Sequence, residues 1–491
     1  MSRRVLPALF AASRPVLPTF RTRPAFVQQC VRRGVVSAAE VQFGQPVHET
    51  HPHLVAAGEL TPGISALEYH HRRAALARKL PRNSVAVLAA AETKYRSGAV
   101  FYDFHQEPNF LYLTGFNEPE AVAVIEKGSS AVEYTFHLFV RPKDARAELW
   151  DGARSGVQAA QDVFNADEAG DIHHIPRRLA DLLHGAEAVY TDIGSHAGRK
   201  SAFQRFLAGG DVKVDGLAKL LQSATVRPLR PLMNELRVTK SAAELACMRQ
   251  AGALSGQVFT EAMGRGFRTE KQLRADMAHG FQTKGLDDEA YVPVVAGGRN
   301  ALSIHYVRND DVLRAGEMVL VDAGGEYGGY ITDITRTWPV SGRFTAAQRD
   351  LYTAVLRTQE ACLALCREDA DMSLDSLHRA AETSLRAGLR ELGFEMGGDA
   401  LEVLFPHHVG HYIGLDVHDA PGYPRHERLR RDQCITIEPG VYVPDEGRWP
   451  EHFRGVGVRI EDSVRIGEDG VEVLTGSAVK DVEGIEGLRV R

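Results

Sequence analysis

The sequence predicts an α/β protein of two domains that follow a basic leader segment. With 491 residues, the chain is longer than a single hydrophobic core normally supports, so at least two domains are expected. Runs rich in valine and isoleucine alternate with helical patterns from about residue 65 onwards, which is typical of α/β architecture. No stretch approaches the roughly 20 apolar residues of a membrane span, so no transmembrane segment is expected.

Residues 1–39 have the composition of a mitochondrial presequence. They contain seven arginines, no lysine and no acidic residue before Glu40, and apolar residues are distributed among the arginines. Arginines are interspersed among the apolar residues, which argues against a secretory signal; the alternative interpretation is a disordered basic tail. The sequence therefore predicts a mitochondrial location, in the matrix or at the matrix face of the inner membrane.

Loss of this leader makes the protein more acidic. Without its seven arginines, the 58 basic residues fall to 51 against 64 acidic ones, and the formal net charge changes from −6 to −13. Because nucleic-acid affinity comes mainly from lysine and arginine, no nucleic-acid partner is expected. The four cysteines beyond the leader form no CxxC pair, so they are interpreted as core residues in a reducing compartment.

Changes in composition divide the rest of the chain. Pro228 and Pro231 limit regular structure and indicate a domain boundary. Shortly after them, Ser241 and Glu244 form a capping box that predicts the start of a long helix. The predicted segments are an extended arm at 40–64, an N-terminal α/β domain at 65–228 and a C-terminal domain at 229–491.

Acidic and imidazole side chains follow strand-like runs at several points of the C-terminal domain. Asp322 ends an apolar run, and Asp333 lies eleven residues later, beyond a glycine-rich hairpin that can bring the two carboxylates together. Buried like charges are costly unless a cation compensates them, although two turn-capping aspartates would give the same pattern. Four histidines lie within residues 407–418, more than core packing needs, and Glu438 ends a further β-rich run.

These residues offer a metal an oxygen-rich set of donors. Arg459 and Glu461 lie two residues apart, on one face of a predicted strand, so that Arg459 can hold a carboxylate that neighbours the metal. Carboxylates with one imidazole favour Mn²⁺, leave Co²⁺, Fe²⁺ and Zn²⁺ as alternatives, and disfavour copper. A pair of such ions activates water and polarises a carbonyl in two-metal hydrolases.

Together these segments resemble the aminopeptidase P branch of the creatinase/methionine aminopeptidase family, whose catalytic domain has the pita-bread fold. The resemblance extends from about Gly44 to Val482 and includes Asn109–Phe116. It implies a creatinase-like N-terminal α/β domain, a C-terminal pita-bread α+β metallopeptidase domain and two divalent metal ions, with Mn²⁺ favoured. The metal ligands that it implies are Asp322, Asp333, His411, Glu438 and Glu461. The catalytic residues that it implies are His305, His407, His418, Glu438 and Arg459.

The resemblance also implies an aminopeptidase that releases one residue from the N-termini of peptides and proteins. Glu438 would act as general base, His418 would stabilise the tetrahedral intermediate, and His305 and His407 would line the substrate site. The presequence and the segment 44–69 favour the mitochondrial members, which trim imported proteins after presequence cleavage and so stabilise them. An Xaa-Pro aminopeptidase is the alternative, and a non-catalytic pita-bread binding protein is a third hypothesis. Since relatives often dimerise, a homodimer is also expected.

Overall fold

The computed structural model describes residues 42–130, 133–193 and 225–489. The predicted presequence and the first residues of the predicted arm lie outside this described part. Residues 42–491 form a single unit by their internal packing. None of the helices in the described ranges combines the length and the apolar composition that a membrane span requires.

The N-terminal domain is built on a mixed six-stranded sheet. Its strands, with two short hairpins, are β1 (Glu59–Thr61), β2 (Ile64–Ser65), β3 (Ser84–Ala89), β4 (Tyr95–Ser97), β5 (Val100–Phe101), β6 (Val122–Lys127), β7 (Thr135–Val140), β8 (Glu168–Asp171), β9 (Ala188–Tyr190) and β10 (Val226–Arg227). Its helices are α1 (Ala66–Lys79), α2 (Pro108–Thr114), α3 (Ala145–Asp151), α4 (Gly156–Asp162) and α5 (Ile175–His184). The sheet order is β10–β9–β3–β6–β7–β8, with the central strands antiparallel and the outer ones parallel. The central strand β3 is almost wholly buried, and its sequence after Ser84 is accordingly a continuous apolar run.

The C-terminal domain packs helices against several small antiparallel sheets. Its helices are α6 (Arg230–Arg237), α7 (Ala242–Met263), α8 (Glu270–Thr283), α9 (Ala346–Leu363), α10 (Leu374–Glu391), α11 (Ala400–Leu404) and α12 (Val482–Gly487). Its strands are β11 (Val294–Gly297), β12 (Met318–Ala323), β13 (Glu326–Tyr327), β14 (Tyr330–Ile331), β15 (Ile334–Pro339), β16 (Cys434–Ile437), β17 (Gly440–Tyr442), β18 (Gly457–Arg459), β19 (Asp462–Ile466) and β20 (Val471–Val473). The sheets are β11–β12–β15, β16–β19–β20 and the pairs β13–β14 and β17–β18. An isolated bridge between Thr335 and Glu461 brings β15 next to the segment that leads into β19.

Capping boxes set where the long helices begin. The Ser241 hydroxyl accepts from the backbone N–H of Glu244, whose carboxylate accepts from the N–H of Ser241, so α7 begins where the sequence predicts it. Thr345 and Ser373 open α9 and α10 in the same way. These reciprocal hydrogen bonds satisfy N–H groups that a helix terminus would otherwise leave unpaired.

The glycine-rich hairpin after β12 returns the chain beside its own strand. Gly328 and Gly329 have φ values of 61° and 86°, the left-handed conformation that a two-residue turn between paired strands requires. The strands β12 and β15 then pair antiparallel, with Asp322 opposite Thr335. This turn is therefore what places Asp333 near Asp322.

The two domains share one hydrophobic core. Leu111 of α2 packs in the same cluster as Tyr330, Ile413 and Leu415 of the C-terminal domain. Within this interface the Arg72 guanidinium donates to the Tyr330 hydroxyl at 3.1 Å. The two domains are therefore packed against each other through a continuous core.

The predicted arm consists of turns and the β1–β2 hairpin, and it is part of the fold. The Gln45 amide donates to the carbonyl of Gly115 at 3.0 Å and accepts from the N–H of Asn117. Val47 beside it is 2% exposed. Gln45 therefore satisfies the backbone at the end of α2, where the helix can no longer do so.

Replacing Gln45 with alanine should destabilise the fold, because it leaves buried backbone groups without partners. We expect the free energy of unfolding to fall by about 1–3 kcal/mol, the cost of unsatisfied buried polar groups. Urea unfolding measures this change. Glu49→Ala, an exposed change in the same arm, is the matched control and should leave the urea midpoint in place. Equal midpoints for the two variants would contradict the role assigned to Gln45.

Candidate active site

All five predicted metal ligands converge in the C-terminal domain, although they come from separate parts of the chain. Ligand atoms of Asp333, His411 and Glu461 lie within 4.8 Å of one another. Glu438 Oε1 is 3.6 Å from His411 Nε2. Asp322 joins this cluster through a shared hydrogen-bond donor. The cluster lies where β12 and β16 end and β15 begins.

That shared donor is Tyr291, which the sequence analysis did not identify. Its hydroxyl donates to Asp322 Oδ1 at 2.6 Å and also contacts Asp333 Oδ1. Burial and the charges of these two carboxylates raise the pKa of Tyr291 well above its usual value, so it stays a phenol. Tyr291 lies in an irregular segment before β11 and carries no motif, so only the folded chain shows that it belongs to the site.

The imidazole of His411 is oriented to offer a lone pair to the cluster. Its Nδ1 is 3.0 Å from the carbonyl oxygen of Tyr412, which can only accept, so Nδ1 carries the proton. Nε2 then faces Asp333 Oδ2 and Glu438 Oε1, each at 3.6 Å. Burial opposes a charge on His411, but contact with Asp333 and the charge of Glu438 outweigh it and raise its pKa to about 9. The surroundings of His411 thus attract positive charge.

The carboxylates of the cluster are difficult to ionise together. Burial and the neighbouring Asp333 raise the pKa of Asp322 to about 6, and burial raises that of Glu438 to about 7. Burial, followed by the charges of the other carboxylates, raises the pKa of Glu461 well above its usual value. Only Asp333, held by His411 and Tyr291 against the effect of burial, has a lowered pKa. These surroundings therefore favour a further cation beside the carboxylates.

The donor set fits a divalent metal. Glu461 Oε1 is buried and has no hydrogen-bond partner among the described residues, although unsatisfied buried carboxylate oxygens are costly. The other donors are carboxylate oxygens and one imidazole, which hard and borderline divalent ions bind. The buried Glu461 oxygen therefore offers a metal ion a ligand atom that no hydrogen bond of the described residues occupies.

Arg459 holds one side of the cluster. Its Nη2 donates to Asp322 Oδ2 at 2.6 Å, its Nε to Thr335 Oγ1 at 3.0 Å, and its Nη1 to the Tyr442 hydroxyl at 2.7 Å. Thr335 in turn donates to Glu461 Oε2 at 2.6 Å. Arg459 therefore contacts the Asp322 carboxylate from outside the cluster and is linked to Glu461 through Thr335, as its position in the sequence suggested. Thr335 and Tyr442 were missed, because threonine and tyrosine in apolar strands give no signal of chemistry.

The predicted catalytic histidines surround the cluster. The His418 ring packs against the His411 ring, with centroids 4.3 Å apart. His407 Nε2 lies 2.9 Å from the Tyr442 hydroxyl, and burial, aided by Arg459, lowers the pKa of His407 to about 3. The His305 and His418 side chains are exposed and mark the open side, or mouth, of the site, and His305 acts electrostatically on both His407 and His418. His407 is therefore neutral and hydrogen-bonded.

A buried cluster of carboxylates and an imidazole is typical of metal-dependent hydrolases. The chain belongs to metallopeptidase family M24: residues 246–468 match the model of that family, and residues 69–190 match the aminopeptidase P N-terminal domain. It is thus a metal-dependent aminopeptidase with an aminopeptidase P-type N-terminal domain and a pita-bread catalytic domain, as predicted. The hypothesis of a non-catalytic binding protein is not supported.

Relatives with this organisation match nearly the full chain. Intermediate cleaving peptidase 55 of Saccharomyces cerevisiae is 45% identical over 91% of this chain and 89% of its own. Mitochondrial intermediate cleaving peptidase 55 of Arabidopsis thaliana is 38% identical over 94% and 90%. Human Xaa-Pro aminopeptidase 3 is 39% identical over 90% of each chain.

Solved structures show the same fold. The crystal structure of Icp55 from Saccharomyces cerevisiae, lacking its N-terminal 58 residues, superposes with a TM-score of 0.81 at 44% identity, over 88% of this chain and 99% of its own. Zinc-substituted Escherichia coli aminopeptidase P in complex with product gives 0.80 at 36% identity, over 87% and 98%. The roles of the individual site residues, the domain boundaries and homodimer formation stay predictions.

Mn²⁺ should raise the melting temperature of metal-stripped protein with increasing concentration, because it binds only the folded site. At a concentration one hundred times Kd the stabilisation is about 2.7 kcal/mol. Asp333→Ala should abolish the rise, since it removes a donor next to His411 and Glu461. Asp375→Ala, which removes a carboxylate beside His408 outside the cluster, is the matched control. Differential scanning calorimetry checks both, and a full rise in the Asp333 variant would refute the assignment.

Proposed function

We propose that this protein is a mitochondrial dinuclear aminopeptidase that removes a single N-terminal residue from imported proteins after presequence cleavage and thereby stabilises them. The observation that carries the proposal is the buried cluster of Asp322, Asp333, His411, Glu438 and Glu461, in a chain similar over nearly its full length to intermediate cleaving peptidases. The rest of the proposal concerns the metal, the reaction and the substrate.

Charge balance supports two divalent ions, and the donor chemistry favours Mn²⁺. Four ionised carboxylates carry four negative charges. Within the described structure, histidines contact some of these carboxylates, and Arg459 is the one other basic residue that forms an ion pair with any of them. Two divalent cations offset this charge, and His411 then binds as neutral imidazole. Carboxylate-rich sites suit Mn²⁺. When bound, the ions polarise the scissile carbonyl and activate water.

Glu438 is positioned to move a proton. Burial raises the pKa of Glu438 to about 7, so the surroundings of this carboxylate favour its taking up a proton, as a general base must. Its Oε1 also accepts from the Thr436 hydroxyl at 3.3 Å, which fixes the carboxylate at the end of β16. We assign to Glu438 the proton of the attacking water and its transfer to the leaving amine.

We assign two roles to the histidines around the cluster: they stabilise negative charge and limit the access of water. His418, next to His411, is placed to donate to the oxygen that becomes negative in the transition state. We assign a contribution to His305 as well, from the loop between β11 and β12. His407 is neutral, and since its Nδ1 donates to the carbonyl of His408 at 2.9 Å, its Nε2 accepts from Tyr442. His407 thereby orients Tyr442, which Arg459 also contacts.

An Xaa-Pro aminopeptidase is the second candidate, and the 39% identity to human Xaa-Pro aminopeptidase 3 favours it. The two candidates share metal, base and histidines, and differ only in the residue after the scissile bond. Such preferences depend on a few kcal/mol of pocket contacts. Similarity to the intermediate cleaving peptidases supports the first candidate, with a bulky apolar first residue such as tyrosine, leucine or phenylalanine.

Two matched peptides separate the candidates. With Mn²⁺, the protein lacking residues 1–39 should release tyrosine faster from a peptide that begins Tyr-Ser-Ser than from one that begins Tyr-Pro-Ser, as followed by mass spectrometry. Faster release before proline would instead establish the Xaa-Pro activity. Glu438→Gln keeps the size of the side chain but not its basicity, and should lower kcat by at least about 100-fold. Cleavage of neither peptide by the wild type would refute both candidates.

Mitochondrial location is proposed from residues 1–39 and from the mitochondrial relative in Arabidopsis thaliana. These residues, fused to a fluorescent protein, should direct it to mitochondria, because arginine-rich, acid-poor segments act as transit peptides. The control fusion replaces all seven arginines with glutamine and should stay outside. Fluorescence microscopy reads both, and equal distributions of the two fusions would exclude a presequence.

A further inference from the structure

The loop that carries His418 is fastened by a buried ion cluster. The carboxylates of Asp416 and Asp419 lie on either side of His418 in the sequence, and both contact Arg237 Nη2, the first at 2.7 Å. Lys240 Nζ donates to the other oxygen of Asp419 at 2.8 Å. Arg237, Lys240 and Asp419 are each at most 5% exposed. The Arg237 guanidinium thus holds both ends of a short loop at once.

His418 depends on this loop for its position. Its ring contacts the His411 ring, and within the described part of the chain it makes no hydrogen bond that would orient it. The backbone of the loop therefore determines where the imidazole lies. The loop is held in addition by the N–H of Asp419, which donates to the carbonyl of Tyr412 at 2.8 Å, and by the Asn234 amide, which donates to the carbonyl of Pro421 at 2.9 Å.

The N-terminal domain takes part in the same cluster. Arg237 Nη1 donates to Asn109 Oδ1 at 2.8 Å, at the start of α2. A second hydrogen bond joins the same two helices, from the Tyr112 hydroxyl to the carbonyl of Leu236 at 3.2 Å. The first bond involves the ion cluster and the second does not. The chain therefore provides a matched pair of contacts that separates docking of the domains from orientation of Arg237.

We propose that Arg237 is a positioning residue for His418, and that Asn109 of the N-terminal domain fixes the guanidinium in the orientation this needs. The inference rests on the role proposed above for His418. A planar guanidinium meets Asp416, Asp419 and Asn109 from fixed directions, which the single ammonium of a lysine does not. Small displacements of a catalytic group are costly for the rate, so the N-terminal domain contributes to the catalytic step and not only to substrate access.

The test compares kcat and KM on the Tyr-Ser-Ser peptide with Mn²⁺. Arg237→Lys should lower kcat by about tenfold and Asn109→Leu by about fivefold, since misplaced catalytic groups cost rate more than binding. KM should stay within about twofold. Tyr112→Phe, the matched control, should keep the wild-type kcat. Cleavage by the wild type tests the proposed function separately, so the two failures are distinguishable.

The same comparison in a His418→Ala background shows whether the effect passes through His418. There, Asn109→Leu should change kcat by less than about twofold, because groups that act through one another are not additive. An undiminished loss in that background would overturn the inference. So would a loss in Tyr112→Phe equal to that in Asn109→Leu, or a His418→Ala variant with wild-type kcat.

Hydrogen exchange provides a measurement that does not depend on activity. In metal-free protein, the peptide 412–421, which contains the Asp419 N–H, should exchange faster in Asn109→Leu than in Tyr112→Phe. Melting temperatures within a few degrees of the wild type confirm that both variants are folded. Equal exchange rates in the two variants would overturn the inference even if neither is active.

Discussion

Burial of four carboxylates in one small volume is the constraint on which this structure depends. Asp322, Asp333, Glu438 and Glu461 repel one another and are poorly solvated, as the raised pKa values of three of them show. Such an arrangement persists only when the surrounding fold supplies compensation. Tyr291 and the other polar neighbours provide part of it, and a divalent metal provides the rest. The arrangement of these carboxylates is thus consistent with the metal dependence of the family to which the chain belongs.

Further buried ion clusters hold the backbone from which the site residues project. The Arg336 guanidinium and the Asp462 carboxylate are fully buried and lie 2.7 Å apart. Asp462 directly follows the proposed ligand Glu461 in the sequence. Arg336 also donates to the carbonyl of Glu461. Replacing Asp462 would leave the buried Arg336 guanidinium without a carboxylate partner, which is strongly destabilising. Their position beside the ligands indicates that they fix the ligand backbone.

A similar arrangement supports the loop of His305. The carboxylate of Glu270, at the start of α8, accepts from the N–H of Gly297 at 2.8 Å and from the Tyr306 hydroxyl at 2.9 Å. It also accepts from the N–H of Asp311, so one side chain holds both ends of the loop. His305 and His418 are therefore both exposed side chains on loops that buried polar groups hold in place. This combination allows access for a substrate while the backbone remains rigid.

Much of the fold follows from local sequence. The run Ser84–Ala89 is apolar after its first residue and forms a strand, and the capping box at Ser241 begins a helix as predicted. The glycine pair Gly328 and Gly329 forms the expected turn. These features depend on neighbours in the chain, whose preferences local patterns report. The pairing order of the strands and the sharing of one core by both domains depend on distant contacts, which no local pattern contains.

For the site, the sequence alone determined which ionisable residues are candidates. Aspartate, glutamate and histidine carry recognisable chemistry, and the fold brings the five proposed ligands together. Only the tertiary structure decided that Tyr291 joins two carboxylates, that Thr335 lies between Arg459 and Glu461, and that Arg237 holds the loop of His418. The physical reason is that phenols, hydroxyls and structural arginines are common in any chain. Their function arises from which charges burial places within hydrogen-bonding distance, and that is fixed only when the chain has folded.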